Sequence, residues 1–249
     1  LREQGDKLSQ NLGPRADKIR HDLEDDYLPR ARKTAETTGT VLKAAVDAGR
    51  IGTLAVQRFS RAGAAPQSPW FFSESAGGGL IRDLMIHDID QALWFAGDVS
   101  QVFAVQNPPT IDDRVPAPVT SHIVLTHANG VISHIHGSWV APGIPFRTSV
   151  EVAGSEGRLR YDSAEDRTLR TDAAALPGAT DYLPPMSPQD SPYYAEIADF
   201  VAALREGREA RVTPADGIRA VAVAEAAIAS IAAGTPVSPV PSPTEEVVR

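Results

Sequence analysis

Asp83 and His87 lie four residues apart in a stretch, Leu80 to Ala96, whose apolar residues recur at helical spacing and which stops at Gly97. At about 100° per residue, Asp83, His87, Asp90 and Trp94 fall on one stripe, and Ile86, Ile89 and Leu93 form the neighbouring apolar one. A carboxylate one turn from an imidazole holds the ring and favours its cationic form. Such a pair can take a proton from a substrate hydroxyl as a general base. Asp83 also falls in the first turn, where the helix dipole favours an ionised carboxylate. The same spacing suits an ordinary ion pair on a solvated helix, so the pattern alone leaves both readings open.

A second group of imidazoles, His122, His127, His134 and His136, sits on the two arms of a hairpin turning at Asn129-Gly130. A two-residue type I′ turn there pairs Leu125 with His134 and Ile123 with His136, which predicts His127, His134 and His136 on one face and His122 on the other. Three imidazoles on a face can bind zinc, but no carboxylate lies nearby in sequence to orient them, and the expectation is no metal site. The triplet Gly77-Gly78-Gly79 before the helix can bring backbone amides to an anion, or can simply make a tight entry to a packed helix; the second is the commoner use.

Other chemistries are excluded by what is missing. The 249 residues contain no cysteine, which removes thiol nucleophiles, disulfide scaffolds and thiolate metal sites. Lys7, Lys18, Lys33 and Lys43 are the only lysines, so Schiff-base, pyridoxal phosphate and P-loop chemistry are nearly excluded after position 43. The formal charge of −8 argues against nucleic-acid or anionic-membrane partners. No apolar run reaches the ~20 residues that span a bilayer, and a cytoplasmic location is expected.

The elements that must position these residues read as follows. Residues 1–40 carry eight basic and eight acidic side chains with Ile19, Leu23 and Tyr27 on one stripe, a charged helical arm. A helix over Val41–Ala48 and a strand over Ile51–Phe59 precede the Leu80–Ala96 helix. Strands are predicted at Gln101–Gln106, Val119–His127, Val131–Trp139, Arg147–Ala153 and Arg158–Tyr161. A proline-rich loop, Pro177 to Pro192, leads to helices at Tyr193–Glu206 and Pro214–Ala233, and a proline-rich tail over 238–249 is expected to be disordered. Strands bracketed by helices indicate an α+β fold, an open, mostly antiparallel sheet with helices on one face. No strand, GxGxxG and helix occur in series, so no doubly wound Rossmann domain is expected.

AGRIGTLAVQRF (48–59), GGGLIRDLMIHDIDQALWFAG (77–97), HANGVISHIHGSW (127–139), VEVAGSEGRLRYD (150–162), YYAEIADFVAALREG (193–207) and the stretch from Pro214 to Val237 resemble, in order and spacing, the C-terminal domain of the Gfo/Idh/MocA oxidoreductases. The resemblance implies one domain over 41–237, a sugar or polyol substrate, and hydride transfer to NAD or NADP. It assigns Asp83 and His87 as the catalytic pair and, with Trp139, as substrate-binding residues, and it leaves the cofactor-binding residues unknown. It implies a homo-oligomer formed through the sheet face, with Val124, Val131, Ile135 and Trp139 as an apolar row. The family's Rossmann domain and its lysine beside the nicotinamide have no counterpart here, so the chain alone is not expected to bind the cofactor. The alternative is a non-catalytic binding or assembly protein that keeps the fold.

Overall fold

The computed structural model describes residues 38–163 and 192–240. These fall into two units, 42–163 with 212–240, and 38–41 with 192–211. The expected arm, the 177–191 loop and the tail beyond 240 lie outside the described residues.

In the first unit, helix α1 (Thr38–Asp47, shared with the second unit) ends at Gly49, and strand β1 (Leu54–Ala64) follows. The chain then makes a short 3₁₀ turn (Pro69–Phe72), a π-helical turn (Ile81–Met85) and α2 (Ile86–Ala96). Five strands come next: β2 (Val99–Asn107), β3 (Val119–His127), β4 (Ile132–Val140), β5 (Arg147–Gly154) and β6 (Gly157–Asp162). They form one sheet with β1 in the order β2-β3-β4-β1-β5-β6. The β1–β4 pair is parallel and the other four pairs are antiparallel, so the expected open, mostly antiparallel sheet is the observed one. The second unit holds α3 (Pro192–Glu206), where Arg208 and the Arg211 amide both donate to Asp199.

Alternation along the strands decides which face is covered. Val102, Ala104, Ile123, Leu125, Ile135, Trp139, Phe59, Val150 and Val152 are all buried and point to one side. On that side lie α2 and α4 (Pro214–Ala233), whose Ala220, Val223, Ala224 and Ala227 are buried in the same core. α4 starts on a capping box: the Thr213 hydroxyl accepts from the Asp216 amide at 3.3 Å, and the Asp216 carboxylate accepts from the Thr213 amide at 2.8 Å. After Gly234, Val237 exchanges two 2.8 Å backbone bonds with Val102 and covers part of the β2 edge.

The hairpin corrects one expectation. His127 N donates to Val131 O and Gly130 N to His127 O, so the loop has three residues, with positive φ at Gly130 (86°) and not at Asn129. Every pairing therefore moves by one: Ile123 opposes Ile135, Val124 opposes His134, and His122 opposes His136. A one-residue slip exchanges faces. His122, His134 and His136 share the open face, and His127 is buried under the helices. Val131, Ile135 and Trp139 are likewise covered by this chain's own helices, while Val124 points the other way, so the expected apolar row does not exist.

Candidate functional site

The helix carrying Asp83 and His87 is not uniform. Over Ile81–Met85 it widens into a π-helical turn and returns to α geometry at Ile86, a local feature often found at functional sites. The wider turn alters the angular phase between Asp83 and the residues after it. His87 and Trp94 are exposed, whereas Asp90 is half-buried. Burial pushes the Asp90 carboxyl up; Asp216 of α4 adds to this and Arg219 opposes it. Asp83 and His87 thus lie one turn apart across the end of the π turn, and Asp90 belongs to the contact with α4.

Close packing fixes this turn on the sheet. Met85 is fully buried, and its Cγ lies 2.3 Å from where a Cβ on Gly137 of β4 would be. Only a residue without a side chain lets the turn approach the strand this closely. Three residues beyond Met85, Asp88 is fully buried, and Arg61 of β1 grips it at 2.8 and 3.1 Å. Arg82 leaves the turn on the outside, donating to the Glu74 carbonyl at 2.6 Å and to Glu225 of α4 at 2.7 Å. Sequence reading overlooked both arginines because neither partner is local.

The glycine triplet serves this packing. The Gly77 and Gly78 amides both donate to Ser73 O, at 2.8 and 3.0 Å, and a Cβ on Gly77 would meet the Trp70 carbonyl oxygen. Those two amides are thus taken up within the turn and are not offered to an anion. Ahead of it, the Asp113 carboxylate accepts from both hydroxyls and the Ser75 amide of the 73–75 segment at 2.7–2.8 Å. The Ser73 bond above all holds its carboxyl below the ordinary range.

Trp139, expected beside substrate, is placed in the core. It is 0% exposed, edge-to-face with Phe72 at 5.5 Å, and its indole N–H has no partner among the described residues. His127 donates or accepts at 2.7 Å with the Gly97 carbonyl and with Ser133; since a carbonyl only accepts, Nδ1 carries the proton and Nε2 accepts from Ser133. Gln57 donates to Ser133 and to Ala92 O, tying the end of α2 to the sheet. On the open face, His122 stacks on His136 at 4.7 Å, and His136 reaches Ser60, Thr120 and Ser138. Burial, then His122, lowers the His136 pKa; burial, then Arg58, lowers that of His134. Among the described residues no group of three ligands could hold a metal ion, and no helix is long and apolar enough to cross a membrane.

Residues 40–160 match the model of the GFO/IDH/MocA C-terminal domain. An inositol 2-dehydrogenase from Rhizobium meliloti is 29% identical over 198 residues, which is 77% of this chain and 58% of that protein. Among solved structures, GenD2 from gentamicin A biosynthesis, in complex with NAD, superposes with a TM-score of 0.64 at 25% identity, covering 85% of this chain and 61% of the other. Myo-inositol 2-dehydrogenase from Lactobacillus plantarum gives a TM-score of 0.60 at 25% identity, covering 88% and 63%. The chain thus spans about three fifths of the length of these relatives.

Proposed function

We infer a function for this chain from the family it belongs to: it carries a C-terminal domain of the Gfo/Idh/MocA oxidoreductases. Our reading is the substrate half of an NAD(P)-linked dehydrogenase that oxidises a CH–OH group of a sugar or cyclitol. The observation that carries it is the Asp83–His87 spacing across a π turn wedged against the sheet, together with similarity to an inositol 2-dehydrogenase. His87, exposed at the end of that turn, accepts the hydroxyl proton as hydride leaves the same carbon. Asp83 holds the ring and stabilises the imidazolium that forms. The described residues supply substrate binding and the proton acceptor. The Gly77 and Gly78 amides are engaged within their own turn, and in this reading the hydride acceptor is held elsewhere.

Titrating the chain with myo-inositol while following the His87 ring by NMR tests this reading. Saturable shifts at His87, lost in Asp83→Asn, support it. A second reading is a non-catalytic assembly protein that keeps the fold; absence of any polyol-dependent shift at His87 is its expected outcome. Association of copies through the open sheet face fits either reading, since Phe103 and Val105 are 39% and 49% exposed beside the histidines. A dimer or larger in light scattering is expected, and it should dissociate on Phe103→Glu; a monomer at tens of micromolar would count against it.

A further inference from the structure

We infer that Arg61 and Asp88 are positioning residues for the Asp83–His87 pair, an inference that rests on the proton-accepting role proposed above. Asp88 directly follows His87 and is 0% exposed, yet it is a carboxylate. Its two oxygens are held by two nitrogens of one guanidinium, Nε at 3.1 Å and Nη2 at 2.8 Å. The Arg61 guanidinium carbon lies 5.8 Å from the centre of the Phe146 ring, so a third element closes over the pair.

Stability is a poor explanation for such a pair. Removing two charges from water costs several kcal/mol per ion, and well-packed apolar residues of the same volume often serve as well or better. A two-toothed grip supplies orientation instead: it fixes both the distance and the rotation of the carboxylate relative to the fork. Here the fork stands on β1, and its target is one residue from His87. The other pin on the same inner face, Met85 against Gly137, stands on β4, the parallel neighbour of β1. Two pins three residues apart, on adjacent strands, fix the rotation of the helix about its own axis. With a side-chain radius of about 5–6 Å, a helix turned by about 20° carries a side-chain tip by about 2 Å. A displacement of about 1 Å can cost about a hundredfold in an oriented reaction.

Met85 alone does not prevent such a turn, because a thioether side chain re-packs readily. The Arg61–Asp88 fork is rigid where Met85 is pliant, and it sets the angle at which His87 meets Asp83.

The test is a cycle read at His87. The imidazole pKa is measured by NMR in the full chain and in Asp83→Asn, and the difference is the coupling between the two residues. The same pair of measurements is then made with Arg61→Lys, which keeps the cation and loses the fork. A coupling reduced by half or more in the Arg61→Lys background, with native amide dispersion, is the expected result. An equal coupling in both backgrounds overturns the inference. Should Arg61→Lys fail to fold, Asp88→Glu keeps the pair and displaces the helix by one methylene, and the same reduction is expected. Absence of coupling in the parent chain is a different result, visible before any Arg61 variant is made: it removes the reading on which the inference stands, and the inference with it.

Discussion

Replacing Gly137 with alanine puts a methyl group where Met85 already is. The new Cβ would lie 2.3 Å from Met85 Cγ and 2.6 Å from Sδ, against an ordinary carbon–carbon contact of about 3.5–4 Å. The clash is more than an ångström deep and falls on the middle of a fully buried side chain, not its tip. Overpacking of this kind costs about 1–3 kcal/mol, offset by the about 0.5–1 kcal/mol gained when a strand glycine becomes alanine. A net loss of about 1–2 kcal/mol follows, a fall in melting temperature of about 2–8 °C for a chain of this size. Met85→Ala by itself should cost about 2–5 kcal/mol through the cavity it leaves. The informative quantity is the combination. With Met85 shortened, the new methyl enters the vacated space, and Gly137→Ala should become neutral or stabilising. Thermal unfolding of the four variants gives the interaction term directly. If Gly137→Ala destabilises equally with and without the Met85 side chain, the π turn is not seated on the sheet by this contact, and the account of how His87 is placed fails at its base.

Two further outcomes follow from buried polar groups. His127 is pushed below its ordinary pKa by burial, its bonds to the backbone at 97 and 98 opposing this; the unfolded chain takes up the proton near pH 6.5 while the folded chain resists it. Stability should be full above that pH and fall as pH drops toward the folded value, by up to about 1.4 kcal/mol per pH unit for one proton; urea midpoints between pH 7.5 and 5 should slope less in His127→Gln, and an unchanged slope would sink the assignment. Thr213→Ala removes the hydroxyl that accepts from the Asp216 amide at 3.3 Å and donates to the Asp216 carboxylate at 2.7 Å and should cost about 1 kcal/mol; an unaltered melting temperature would show that the Ala-rich helix holds without its cap.

What the sequence discloses and what it withholds divide along the range of the interaction. β3 and α4 fall over Val119–His127 and Pro214–Ala233 as expected, because strand and helix patterning are local signals. The Asn129-Gly130 turn is visible as a turn, but its length is not. A two-residue type I′ loop and a three-residue loop with a left-handed glycine accept the same dipeptide, and the choice reverses which face His122 and His127 occupy. Asp83 and His87 are legible as a pair through spacing, yet the π turn between them leaves no mark in the string Ile81-Arg82-Asp83-Leu84-Met85. Arg61 and Asp88, 27 residues apart, acquire a relation only when β1 comes to lie under α2. Trp139 reads as a substrate contact by its place in the family pattern; its depth depends on the register beside it.

The central claim, that Asp83 and His87 act as one proton-accepting unit, is tested most directly by the pKa of the His87 imidazole at low salt in the parent chain and in Asp83→Asn. A coupled pair predicts a fall of about half a unit or more when the carboxylate is lost. Superimposable titration curves would contradict it, because only a solvated, screened helix face leaves an imidazole indifferent to a carboxylate one turn away.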